Sequence, residues 1–140
     1  MKKNLLAASL LMLLTLSCSE GNNLTSILNV LKAKWTLQSL TGQSNLGSLF
    51  NDRLPFLLFD TDNSKVTGNG GCNNLTGPFT LQKAGKLSFG NLAMTRMACP
   101  SNGESLFTSA LQKVSGFSIK DNVLTLLDGK EELMKLVKAE

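Results

Sequence analysis

From Trp35 to Val137 the apolar residues fall mostly in short runs, several with period two, and each run is cut off by turn residues. Alternation of that kind places one face of a strand against a core and leaves the other in water. Trp35 and Leu37 alternate with Thr36 and Gln38, up to Thr41-Gly42. Phe56 to Phe59 reads as a short buried strand opened by Pro55, and Lys65-Val-Thr as its return after the turn residues Asp60 to Ser64. Phe79-Thr-Leu-Gln and Leu87-Ser-Phe-Gly form a hairpin around Lys83 to Lys86, with Phe79, Leu81, Leu87 and Phe89 on its inner side. Phe117 to Lys120, Val123 to Leu127 and Glu132 to Val137 are three more strands, separated by Asp121-Asn122 and Asp128-Gly129 turns. Seven or eight short strands at such spacing predict a mainly β fold, an antiparallel sheet that curls or closes like a barrel.

Two stretches break the pattern. Ser101-Asn-Gly-Glu104 fits a capping box, and Leu106, Phe107, Ala110, Leu111 and Val114 then form one helical stripe ended by Gly116. This is the one amphipathic helix expected to be inserted between the strands. Leu24, Ile27, Leu28 and Leu31 recur at helical spacing as well and predict a short helix ahead of the first strand. Gln43 to Arg53, rich in Gly, Asn, Ser and Asp, reads as loop.

The start of the chain has a different character. Lys2 and Lys3 precede an uncharged apolar run from Leu5 to Leu16, too short to span a bilayer, for which about 20 residues are needed. Residues 1–17 therefore read as an export signal. Leu16-Ser17-Cys18 is similar to a bacterial lipobox, with Thr15 standing where a larger aliphatic residue is common. The expected organisation is a lipoprotein signal peptide over 1–17, lipidation at Cys18, a polar tether over 18–23, and one domain over 24–140 with its core at about 35–137. Such a protein sits in the cell envelope, held by its lipid, with the outer membrane the expected location.

The later cysteines lie in unusual frames, "GNGGCNNLTGPF" around Cys72 and "LAMTRMAC" ending at Cys99. In an oxidising compartment an odd free cysteine is a liability. Three cysteines resolve as one lipidated, Cys18, and one pair, Cys72 with Cys99. A bond across those 27 positions restricts the unfolded chain by about 3–4 kcal/mol in the chain-entropy model. The alternative is two reduced cysteines buried as small apolar residues. Glycines 68, 70, 71 and 77 admit backbone geometries needed at bulges and close crossings, and Asn73 and Asn74 tolerate left-handed turns.

Several chemistries lack their residues. The chain has no histidine, which removes Ser-His and Cys-His nucleophile activation and the commonest zinc ligand. Asp60-x-Asp62-x-Ser64 starts like a calcium loop, but Lys65 and Gly71 stand where glycine and a bidentate glutamate are needed. No catalytic residue, metal site or cofactor is expected. Without Lys2 and Lys3, twelve basic residues face ten acidic ones, too even a balance for nucleic acid.

The motif "GCNNLTGPF", then "LAMTRMAC", then Glu104-x-x-Phe107-x-x-x-Leu111 resembles the META domain family, which includes HslJ-like, heat-shock-associated bacterial lipoproteins. Trp35-x-Leu-x-Ser-Leu-x-Gly42 is similar to that family's first strand, and Phe79 stands where many members carry tyrosine. The resemblance marks Gly71, Asn73, Gly77, Thr95, Met97 and Ala98 as motif residues beside the two cysteines. It implies a barrel-like domain packed with one helix, an envelope location, and links to stress and antibiotic tolerance. It implies no reaction.

The expected function is a non-enzymatic envelope lipoprotein, a binding or protective module used under stress. Its partners would be the membrane, through the anchor, and a protein or small molecule of unknown identity; the chain is expected to be a monomer. Two alternatives remain. A carrier of small ligands needs an empty barrel rather than a mouth filled by Trp35, Phe56, Phe59 and Phe79. A protease inhibitor needs a projecting loop, for which Gln43 to Arg53 is the candidate.

Overall fold

In the computed structural model residues 24–140 are described. The signal peptide, Cys18 and the 18–23 tether lie outside them. The first helix, α1 (Leu24–Leu31), buries Leu31 and leads into β1 (Lys34–Leu40). A five-residue helix, α2 (Leu46–Phe50), follows, then β2 (Phe56–Asp60), β3 (Lys65–Asn69), β4 (Asn74–Gln82), β5 (Lys86–Phe89) and the two-residue β6 (Ala93–Met94). Helix α3 (Gly103–Lys113) precedes β7 (Gly116–Lys120), β8 (Val123–Asp128) and β9 (Glu131–Lys138).

All strand pairs are antiparallel, in the order β5-β4-β3-β2-β1-β9-β8-β7, with β6 on β4. The two ends of this path approach each other: the Phe117 N–H donates to the Gly85 carbonyl at 2.9 Å. The sheet is thus a nearly closed barrel, as the short alternating runs predict. Bulges in β1 between Leu37 and Ser39, and between β8 and β9 at Leu126/Leu127, supply local bending of the kind closure needs.

Alternation fills the interior. Trp35, Leu37, Leu57, Phe59, Val66, Leu75, Phe79, Leu87, Leu124, Leu126, Met134 and Leu136 are all buried in one cluster. Phe59 meets Phe79 edge-on, with centroids 5.2 Å apart, and Phe89 at 6.1 Å. Helix α3 adds Phe107 and Leu111, both fully buried, to the same cluster. The Trp35 indole N–H donates to the Leu31 carbonyl at 3.1 Å, which joins the end of α1 to β1. Lys32 reaches both carboxylate oxygens of Asp62 at 2.9 Å, tying α1 to the β2–β3 turn.

The structure departs from the sequence reading at three places. Residues 43–53 contain α2, because Asn45 caps it by accepting the Ser48 N–H at 3.1 Å and Asn51 closes it in the left-handed region at φ 48°. Phe50 is buried, which anchors this segment to the core. The molecule therefore has three helices among the described residues rather than one or two. Phe56 is half-buried on the outer face, with the Lys34 ammonium 4.3 Å from its ring centre, and fills no barrel mouth. Helix α3 stops at Lys113, with Val114 extended at its C-cap, so Gly116 starts β7 instead of ending the helix.

Candidate functional site

The two cysteine frames meet at one corner of the barrel. Strand β3 ends at Asn69, β4 begins at Asn74, and the connection between them carries Cys72. Asn69 holds this connection from its own side chain: Oδ1 accepts the Gly71 N–H at 2.8 Å, and Nδ2 donates to Asn74 Oδ1 at 3.0 Å. Gly71 has φ +99°, and a Cβ there would stand 2.5 Å from Phe50 Cδ1. Only glycine fits both the turn and the packing of α2 against it.

Cys72 and Cys99 are joined by a disulfide, with Cα atoms 6.0 Å apart. Of the two states open from the sequence, the structure contains the bonded one. The bond ties the β3–β4 connection to the segment that leads from β6 into α3.

Beside the bond lies Asn73, the buried polar residue of this corner at 4% exposure. Every polar group it carries is engaged. Its Oδ1 accepts the Met97 N–H at 2.7 Å and the Thr95 hydroxyl at 2.8 Å. Its Nδ2 donates to the Met97 carbonyl at 3.2 Å and to Glu104 Oε2 at 2.8 Å, and lies 3.2 Å from Cys99 Sγ. Its backbone N–H donates to Glu104 Oε1 in a short bond, and its carbonyl accepts the Gly70 N–H at 2.9 Å. A buried amide satisfied this fully fixes one arrangement of the chain segments around it.

Glu104 is the residue that the sequence reading misplaced. The expected capping box has its carboxylate turning back to the first turn of α3. The carboxylate instead crosses to Asn73, 31 positions earlier. Ser101 likewise leaves the box, since its hydroxyl donates to the Leu49 carbonyl of α2 and lies 3.5 Å from the Gly103 N–H. The helix N-cap is Asn102, without a side-chain hydrogen bond. At Gly70 a Cβ would lie 2.8 Å from the Glu104 side chain, so this glycine makes room for the carboxylate.

Of the motif residues, Gly71, Asn73, Thr95 and Met97 come together with the disulfide at this corner. Ala98 contributes its carbonyl, 3.9 Å from Cys72 Sγ, and its side chain is exposed. Gly77 serves a separate crossing, where a Cβ would be 2.7 Å from the Asn91 carbonyl. Cys99 Sγ lies 3.5 Å from Glu104 Oε2, so two sulfurs and one carboxylate are gathered within 4.8 Å. A cleft of about 280 Å³, with Phe50, Arg53, Cys72 and Met97 among its lining residues, opens this corner to solvent.

A second surface feature lies on the outside of the sheet. Phe56, Leu58, Thr67, Thr76, Ala93 and Met94 line an open, mainly apolar trough of about 480 Å³ across β2, β3, β4 and β6. Leu58, in the middle of β2, is 40% exposed and adds to this apolar surface. The buried Thr76 hydroxyl in its wall has no hydrogen-bond partner among the described residues.

Three solved structures share this fold. A protein from Burkholderia xenovorans, determined by NMR, is 21% identical, with a TM-score of 0.60 over 81% of this chain and 87% of its own. A second NMR structure is 23% identical, with a TM-score of 0.58 over 78% of this chain and 92% of its own. A DUF4847 family protein from Bacteroides vulgatus, a crystal structure, is 15% identical, with a TM-score of 0.57 over 79% of this chain and 96% of its own. No curated protein matches the sequence. The META domain family model matches residues 14–140, which contain the barrel and the whole cysteine corner, and the chain belongs to the META domain family.

Proposed function

We propose that this chain is a non-enzymatic lipoprotein of the cell envelope, anchored at Cys18, whose META domain binds an extended apolar segment of another envelope protein during stress. The observation that carries the reading is the trough over β2, β3, β4 and β6. Its lining is mainly apolar, it lies open to solvent, and Lys34 stands beside Phe56. An open trough suits a chain passing across it, whereas small ligands are held in concave sites that enclose most of their surface. The stress role rests on the family resemblance and the anchor on the sequence around Cys18.

Two features weigh against the alternatives. A ligand carrier needs space inside the barrel, and the interior is occupied by Trp35, Phe59, Phe79, Phe107 and their neighbours. An inhibitor needs a projecting loop at 43–53, and that segment contains α2 and is anchored by the buried Phe50.

The test places a photo-reactive side chain at Leu58 and, as a control, at Lys120, in cells carrying the full chain. A discrete adduct at position 58, lost with Met94→Asp and absent from position 120, is the expected result. Equal labelling from both positions would sink the trough as the binding surface. The anchor is tested separately: Cys18→Ala should move the protein from the detergent phase to the aqueous phase, and unchanged partitioning would remove the lipoprotein reading.

A further inference from the structure

The corner that holds the disulfide has the ligands and spacing of a metal site in waiting. Metal–thiolate and metal–carboxylate bonds to zinc are about 2.3 and 2.0–2.2 Å, so a tetrahedral site holds a sulfur and an oxygen about 3.5 Å apart. Cys99 Sγ and Glu104 Oε2 stand 3.5 Å apart in the structure. The same geometry asks for two sulfurs about 3.8 Å apart. With Cα atoms 6.0 Å apart, side-chain rotation alone can open the two sulfurs to that distance once they are released.

The carboxylate is also held as a metal ligand must be. The Asn73 N–H takes Oε1 and the Asn73 Nδ2 takes Oε2, which fixes the plane of the carboxylate while leaving Oε2 a second lone pair toward Cys99. Hydrogen bonds from an outer layer that orient ligating groups are a regular part of metal sites. The cleft lined by Cys72 opens one sulfur of the pair to solvent and so to a reductant.

We propose that reduction of the Cys72–Cys99 bond turns this corner into a three-ligand site for a thiophilic divalent cation, with zinc the leading candidate. The ligands are Cys72 Sγ, Cys99 Sγ and the Glu104 carboxylate, and water takes the fourth position. The reductant is a protein dithiol. Its two sulfurs join to each other, and its two electrons and two protons pass to Cys72 and Cys99 as their bond breaks. Metal binding then releases both thiol protons to solvent as two metal–sulfur bonds form. Two thiolates and one carboxylate around a divalent ion leave the site with one net negative charge. The corner is thereby closed in either redox state, by a covalent bond when oxidised and by a metal when reduced.

The experiment uses the purified full-length chain in detergent, oxidised or reduced anaerobically with a phosphine, titrated with Co²⁺ and Zn²⁺. The expected result is one Co²⁺ per reduced chain, with tetrahedral ligand-field bands and thiolate charge transfer, and none bound by the oxidised chain. Zn²⁺ should raise the Tm of the reduced chain, and Glu104→Gln should weaken its binding at least about tenfold. Because Glu104→Gln also disturbs Asn73, X-ray absorption on the zinc-loaded wild type counts the ligands without any substitution. Two sulfurs with oxygen ligands support the site. No uptake at micromolar metal, a shell lacking two sulfurs, or an unchanged Tm would each overturn it.

Discussion

The carboxylate of Glu104 grips Asn73 twice, at the backbone N–H and at the side-chain amide. This pair joins the first turn of α3 to the strand connection carrying Cys72, parallel to the disulfide. One corner of the barrel is therefore closed by two links, one covalent and one made of charge-assisted hydrogen bonds.

Removing the carboxylate strands two buried donors at once. Glu104→Ala should destabilise the domain by on the order of 2–4 kcal/mol, since unsatisfied buried groups cost about 1–3 kcal/mol each and the bonds here are charge-assisted. Glu131→Ala, at an exposed position, should change stability by less than about 0.5 kcal/mol. Urea unfolding of both variants checks the contrast.

The disulfide constrains the unfolded chain over a separation of 27 residues. Cys99→Ser should cost about 2–5 kcal/mol and expose a thiol at Cys72. Mass spectrometry after alkylation without reduction should find neither cysteine labelled in the wild type and one labelled in the variant.

Gly71 combines a left-handed φ of +99° with a close approach to Phe50. Gly71→Ala should lose about 1–3 kcal/mol through backbone strain and displacement of the phenyl ring. Gly129 has φ +58° with nothing near its would-be Cβ, so Gly129→Asn should be nearly neutral. Equal losses in thermal melts of the two would contradict this account of the corner.

Asp60 sits at the β2–β3 turn with its carboxyl held below the usual carboxylate range, first by the Asn63 side-chain amide and then by the Asn63 N–H. A depressed native pKa means stability that is present above the ordinary value of about 3.9 and is lost as pH falls through the native one. Asn63→Ala should raise the Asp60 titration midpoint toward the ordinary value, as carboxyl chemical shifts followed against pH would record. An unmoved midpoint would place the cause elsewhere.

Most strands were legible because their signals are local. Asp121 and Asn122 do take positive φ, 51° and 61°, as their turn chemistry predicts, and Phe79 and Leu81 do face Phe89 and Leu87 across the hairpin. Helix α2 was hidden because five residues give no helical period to read, and its stabilising contact is the burial of Phe50. Glu104 was misread for a related reason. Ser-x-x-Glu before an apolar stripe is a local pattern with a local explanation, whereas its actual partner lies 31 residues away and is chosen by the meeting of two strand connections. The turn propensity of Asn73 was visible in the sequence; its use as a buried hub depends on Thr95, Met97 and Glu104 arriving from elsewhere.

Strand order also sets a timetable for folding. The first strand lies between β2 and the last strand, with Trp35 opposite Lys138. A ribosome, which delivers the chain N-terminus first, releases β9 after every other strand. Until then β1 has a neighbour on one side alone, and β8 lacks the strand that joins it to β1. Closing the seam between residues about a hundred positions apart is a slow, non-local step. Completion of the barrel therefore waits for β9, the last of its strands in chain order.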